Sequence, residues 1–273
     1  MKKASLIVLV LIIGSLKLFA QSKSSFEIIP TNEGFPISLK IAHSTANVFV
    51  EGYEGDKLFV EIFRNNKPIK LNSLPIKFIE DNNNIILRLL DRNNGYEFKI
   101  KVPVKTSLDI SIERSKIIEV RNTEGDVKIS TLTSDIKLTN IIGDIDIRSF
   151  SGNVEIENLD GSPIVYCTKG KVTLSFMKLP EQFSNIIDTV SGKITLFLNG
   201  NDDVLLRIRF DVPDHHFNLK SDFDLVPADE NSFPLGGDDV SSIYRKINKG
   251  KSPIYLKTFK GIIELKKKPK RNN

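Results

Sequence analysis

The chain is poor in the residues that build disulfide-stapled or metal-centred proteins: its 273 residues include one cysteine, three histidines, two methionines and no tryptophan. A single thiol cannot bridge its own chain, so the fold must stand on packing. Cys167 reads as a small buried apolar side chain. Two of the histidines, His215 and His216, are adjacent, and neighbouring side chains on a strand point to opposite faces, so they would not chelate one ion together. Five tyrosines without a tryptophan supply few aromatic platforms for sugars. The sequence also lacks a phosphate-cradling glycine loop and a serine nucleophile elbow. No catalytic, cofactor-binding or metal-binding residues are therefore assigned, and no cofactor is expected.

What is present begins with a leader. Lys2 and Lys3 precede an apolar run from Ala4 to Leu16, and Leu18-Phe19-Ala20 comes before Gln21. This is a signal-peptide pattern, with residues 1–20 removed. The run is too short to span a bilayer, which needs about 20 residues, so the mature chain is not expected to be an integral membrane protein. No cysteine lies near residue 20 to carry a lipid anchor. The expected location is therefore periplasmic, cell-surface or secreted. Losing Lys2, Lys3 and Lys17 with the leader leaves 36 basic against 34 acidic residues, a net charge of +2. Five of those positives, Lys266, Lys267, Lys268, Lys270 and Arg271, crowd into a tail at 266–273. The body is then slightly acidic, which argues against a nucleic-acid partner.

The middle of the chain is periodic. Small turn residues recur every nine positions at Gly125, Ser134, Gly143, Gly152, Gly161 and Gly170. Two and four residues after each of the first four stand aliphatic pairs: Val127 and Ile129, Ile136 and Leu138, Ile145 and Ile147, Val154 and Ile156. The seventh position is also apolar, at Leu132, Ile141, Phe150 and Leu159, and polar residues fill the slots between the aliphatics. Apolar spacing of two predicts a strand with one buried face; a helix would need spacing near 3.6.

A five-residue strand cannot bury its apolar face alone, so such units must stack as a solenoid. Two units per coil would place Asp126 near Asp144 and Asp135 near Asn153; three units per coil would make a triangular coil. The unit from Gly161 departs, with Pro163 in an aliphatic slot and Thr168 at the seventh position, which predicts a kink, bulge or edge. KVTLSF from Lys171, SGKITLFL from Ser191 and KGIIEL from Lys260 repeat the pattern.

Residues 22–113 read as short strands between polar turns, suiting antiparallel hairpins that cap the solenoid. The expected architecture is thus all-β: an N-terminal β-rich cap at 21–113, then a β-solenoid of period nine at 114–273. Residues 226–242 form a non-alternating loop that reads as solvated and mobile. The glycine-glycine core of calcium-binding nonapeptide repeats is missing, leaving Asp126, Asp135 and Asp144 to cap their own turns or face water, with Asp144 and Asp146, or Asp238 and Asp239, as at most a weak calcium contact. Asp144, Asp146, Glu155 and Glu157 are spread along wet faces and do not form a glycosidase pair.

The segment Val120 to Phe176, with ANVFVEGYEGDKLFVEIF from Ala46 and the closing KTFKGIIELKKK, resembles the DUF4097 family of β-strand-repeat proteins described as adhesins. The resemblance implies a secreted or envelope-associated β-solenoid without enzyme activity and brings no catalytic residues with it. The leading expectation is a non-catalytic surface scaffold that contacts an envelope or extracellular protein, glycan or lipid surface through the polar faces around Lys128, Lys137, Arg148 and Glu155. The alternatives are a periplasmic envelope-stress sensing module working through loop 226–242, and a glycan-acting β-helix enzyme.

Overall fold

The computed structural model describes residues 25–30, 36–69, 76–81, 83–90, 95–181, 185–211, 218–229, 232–233 and 242–269. The leader, His215, His216, Asp238, Asp239 and the tail beyond residue 269 lie outside them.

The described chain is all-β. Its first part holds β1 (Ser25–Ile28), β2 (Ile37–Tyr53), β3 (Leu58–Arg64), β4 (Lys67–Pro68), β5 (Ile76–Asp81), β6 (Asn84–Leu89) and β7 (Tyr96–Pro103). The periodic middle follows as β8 (Thr106–Thr123), β9 (Val127–Ile142), β10 (Ile145–Ser151), β11 (Val154–Asp160), β12 (Pro163–Lys178) and β13 (Ile186–Leu198). The chain then continues through β14 (Val204–Phe210), β15 (Leu219–Ser221), β16 (Val226–Pro227), β17 (Ser242–Ile247), β18 (Ser252–Thr258) and β19 (Ile262–Lys267).

Strands of the middle pair in parallel at a fixed offset of two nine-residue units. Val127 lies opposite Ile145, which lies opposite Pro163; Ile136 lies opposite Val154, which lies opposite Val172. Each rung therefore contributes one half-strand to each of two ladders. Aliphatic side chains of both ladders, among them Ile129, Leu138, Ile147 and Ile156, fill one shared core and are fully buried. Burying each stabilises by roughly 1.5–3 kcal/mol, and a strand of five residues gains this only because its neighbours supply the walls.

The seventh position behaves differently in alternate units. Ile141 and Leu159 are buried, whereas Leu132 and Phe150 point outward. Two chemically different corners therefore join the ladders. At the first corner the buried slot falls one residue earlier in the unit and is filled by Thr131, Ser149 and Cys167. Thr168, which broke the apolar pattern, sits in the outward row of this corner and needs no apolar side chain. Pro163 introduces no break either: it begins β12, where a missing N–H costs least, and its register with β10 is unshifted. The irregularity falls instead between β11 and β12, around Leu159 and Asp160.

Both ends are built out of chain order. β2 lies inside the stack, its Leu39 opposite Ile85 of β6 on one side and Leu108 of β8 on the other. At the far end β18 and β19 slip between β13 and the earlier strands β14 and β15: Tyr255 pairs with Ile186 and Arg207, and Ile263 with Ile194 and Leu219. The first 113 residues are therefore only partly antiparallel hairpins. β3 and β5 do run antiparallel along β7 and β6, but β2 joins the parallel ladders, and β8 runs through the boundary expected at 113–114. β17 covers β14 antiparallel at the other end, so the outer strands are turned away from open parallel pairing.

Candidate interaction surface

Strand alternation and register together determine which side chains share a surface. On the first ladder the outward residues of successive rungs are Lys40, Asp109, Lys128 and Asp146 in one row and Ala42, Ser111, Ser130, Arg148 and Tyr166 in the next. On the second ladder Glu119, Lys137 and Glu155 align. The four residues expected to form one contact face are therefore divided. Lys128 and Arg148 share the first ladder, while Lys137 and Glu155 lie on the second and face each other at 3.7 Å. Arg148 leans on Asp146 at 3.2 Å and on the ring of Tyr166 at 5.9 Å.

Opposite charges in neighbouring rungs recur, as in Lys40 with Asp109 at 2.8 Å and Arg121 with Glu51 at 3.2 Å. Exposed pairs of this kind add little stability. They do set which surface charges remain available to a partner.

A shallow groove of about 880 Å³ runs beside the first corner, with Arg88, Ala42, Ser111 and Ser130 on its floor and Leu90 and Leu132 at its rim. A second, of about 890 Å³, lies on the other ladder near the N-terminal end between Phe49, Phe59, Lys99, Lys101 and Arg121. The second groove also carries Glu51, Glu61, Glu97 and Glu119, of which Glu51 pairs with Arg121 and Glu97 with Lys99, each at 3.2 Å. Asp144 binds the backbone N–H of Ser162 at 2.8 Å, and Glu155 and Asp146 stand on different ladders. Among the described residues no group of three or more His, Cys, Asp and Glu side chains could hold a metal. His43 is structural: its Nδ1 accepts from the backbone N–H of Thr45 at 2.9 Å, and its ring meets Tyr96 edge-on at 5.9 Å.

Perturbed groups concentrate in the C-terminal third. Burial raises the Asp188 carboxyl against the pull of Lys257. Lys257 reaches Asp188 at 3.5 Å and Asp211 at 3.4 Å, and Arg209 also pairs with Asp211. Burial works against the charge on Lys257, but the two carboxylates outweigh it and raise its pKa. Glu264 is lowered chiefly by its hydrogen bond with Lys193, 2.6 Å away, with Lys266 assisting. These are ion-pair networks.

The segment expected to be a solvated loop is partly packed. Val226 and Pro227 pair with β17, and Phe233, 2% exposed, packs with Leu205 and Tyr244 in a small second core. Beneath it Arg207 is held between the rings of Tyr244 and Tyr255 at 5.8 and 5.0 Å. The sequence signal for this was present in Phe233 and Tyr244, two large aromatics flanking a polar stretch.

An asparagine row went unread in the sequence. Asn122, Asn140 and Asn158 all adopt positive φ of 54–56° at the second corner. Their side chains form a ladder, with Asn140 donating to Asn122 at 2.9 Å and Asn158 to Asn140 at 3.0 Å. Asparagine tolerates this left-handed backbone better than most residues, and the recurrence at twice the unit length was the available signal.

No family model matches the chain, and no curated protein matches it. Among solved structures, one described as a "putative cell adhesion protein" from Clostridium sporogenes ATCC 15579 aligns over 90% of this chain and 100% of its own, with 12% identity and a TM-score of 0.31. That likeness is too distant to carry fold details or function across.

Proposed function

We propose that this chain is a non-catalytic exported β-solenoid of the DUF4097 type that serves as an interaction scaffold, in the manner of an adhesin. The supporting observation is the register. Because β9, β10, β12 and β13 pass the first corner without a register shift, outward side chains from distant parts of the sequence line up in continuous rows. Such rows suit recognition of an extended partner, whereas an active site needs convergent groups in a concavity. Among the described residues no helix is long and apolar enough to cross a membrane, and export rests on the leader pattern at 1–20.

The test is a binding screen of the purified protein against cell-wall glycans, lipid surfaces and envelope proteins. Saturable micromolar binding to one class, with no turnover of glycan substrates, supports the reading; silence across all three classes overturns it.

A second reading is a periplasmic sensing module, favoured by the packing of Phe233 against Leu205 and Tyr244 of the scaffold. Deleting the 226–242 segment should then alter an envelope-stress response, and an unchanged response removes this reading.

A further inference from the structure

The outward row of the first corner runs Leu132, Phe150, Thr168, Val190 and Phe259. Its register follows from the residues on either side: Thr131 and Thr133 lie opposite Ser149 and Ser151, which lie opposite Cys167 and Lys169, which lie opposite Thr189 and Ser191. Thr189 lies opposite Thr258, and the N–H of Lys260 donates to Val190. Four of the five side chains are large and apolar, exposed by 48% at Leu132, 50% at Phe150, 48% at Val190 and 39% at Phe259. With rungs about 4.8 Å apart, the row is straight and roughly 20 Å long. Aligned exposure of this kind marks an interaction site, whereas scattered apolar residues do not.

Cations flank the row on both sides. One residue further along the corner stand Arg114, Lys169 and Lys260, in or next to register. Two residues before the row stand Arg148, Lys257 and Arg209. The carboxylates present are Glu113, Asp146, Asp188 and Asp211, each within 4 Å of one of these cations, so the line of Arg148, Lys257 and Arg209 is balanced by Asp146, Asp188 and Asp211. Lys169 and Lys260 have no carboxylate partner among the described residues; their ammonium groups stand over the rings of Phe150 and Phe259 at 5.5 and 5.6 Å.

We infer that this ridge docks on an anionic lipid surface, with the apolar row entering the interface and Lys169 and Lys260 beside it meeting lipid phosphates. An apolar line edged by ammonium groups that no carboxylate neutralises, those of Lys169 and Lys260, is a cross-section that binds an anionic interface. A second copy of the chain fits poorly, because stacking two ridges would bring their cationic rows together. A glycan fits poorly because Leu132 and Val190 offer neither a ring to stack on nor a hydrogen bond. The inference rests on the interaction-scaffold reading and names its partner.

The experiment is flotation of the protein, purified as the cell processes it, with phosphatidylglycerol–phosphatidylcholine vesicles and with phosphatidylcholine vesicles alone. Binding is expected only to the anionic vesicles and should weaken as salt is raised. A Phe150→Ser, Phe259→Ser variant should lose roughly tenfold or more in partitioning, the worth of two half-exposed phenyl groups. A Lys169→Ala, Lys260→Ala variant should lose roughly thirtyfold, the worth of two surface cations. Ile142→Ser at the opposite corner should leave binding intact, and circular dichroism melts confirm that all variants fold. The inference is overturned if anionic vesicles fail to bind, if Ile142→Ser weakens binding as much, or if the phenylalanine variant instead dissolves a dimer in sedimentation. It also fails if a soluble anionic polysaccharide binds where vesicles do not. In that case, or if an envelope protein is bound, the scaffold reading survives; only silence in every assay removes both.

Discussion

The backbone N–H of Asp144 donates to the carboxylate of Asp126 at 3.0 Å, and the carbonyl of Asp144 accepts from the N–H of Val127 at 2.9 Å. The same side-chain bond recurs from Asn153 to Asp135 at 2.8 Å, from Ser162 to Asp144 at 2.8 Å and from Lys171 to Asn153 at 3.1 Å. At each corner the parallel ladder would otherwise leave an amide without a partner, and an Asp or Asn one rung back supplies the acceptor.

This geometry makes charge at these positions incidental. Asp144→Ala should cost about 1 kcal/mol, the value of a lost hydrogen bond at a partly exposed amide. Asp144→Asn should recover most of that, since Asn153 already performs the role. Urea unfolding of both variants checks the ranking.

Gly152 should tolerate nothing larger. Its φ is +122°, and a Cβ there would lie 2.0 Å from the carbonyl oxygen of Ser134 on the rung below. Backbone strain together with that collision predicts a loss of about 2–4 kcal/mol for Gly152→Ala, read as a fall in the urea midpoint.

Acid sensitivity should include a contribution from Glu264. Its pKa is lowered in the folded state, first by the hydrogen bond with Lys193, so the unfolded chain holds the proton more tightly. The stabilisation is complete above the ordinary glutamate pKa and is lost as pH falls through the depressed folded value. Asp188, raised by burial, acts in the opposite sense: stability falls as pH climbs through its folded pKa. Glu264→Gln should flatten the acid limb of a stability–pH curve, and Asp188→Asn should remove the opposing decline that begins above the ordinary aspartate pKa.

Cys167 should be silent in the native state. It is 1% exposed, and burial raises its thiol pKa, withholding the reactive thiolate. Labelling by a thiol reagent should therefore follow the fraction unfolded along a denaturant series. Cys167→Ser should cost little, because Ser149 and Thr189 occupy the same slot one rung to either side.

Period-two alternation and nine-residue glycine spacing were enough to read strands and buried faces, because these depend on a residue and its near neighbours; the turn aspartates, expected to cap their own turns, instead accept from the amide 18 residues on, one rung away. Pairs such as Val127 with Ile129 announce a buried face whatever they pack against. The alternation of corners was half legible: the seventh position looked uniformly apolar, yet Leu132 and Ile141 have opposite fates. A period of nine cannot report a difference that repeats every second unit unless the units are compared in pairs, which the asparagines at 122, 140 and 158 would have prompted.

The sequence by itself determined that this chain is built from short half-buried strands that must stack, since no single strand could bury its aliphatics. Tertiary structure alone decided the insertion of β2 and of β18–β19 into ladders begun by other strands, because those pairings join residues some seventy positions apart, as in Ile186 with Tyr255. It also decided which apolar residues remained outside. Leu132, Phe150, Val190 and Phe259 lie far apart in the sequence, and only the stacking of rungs gathers them into one exposed line beside Lys169 and Lys260.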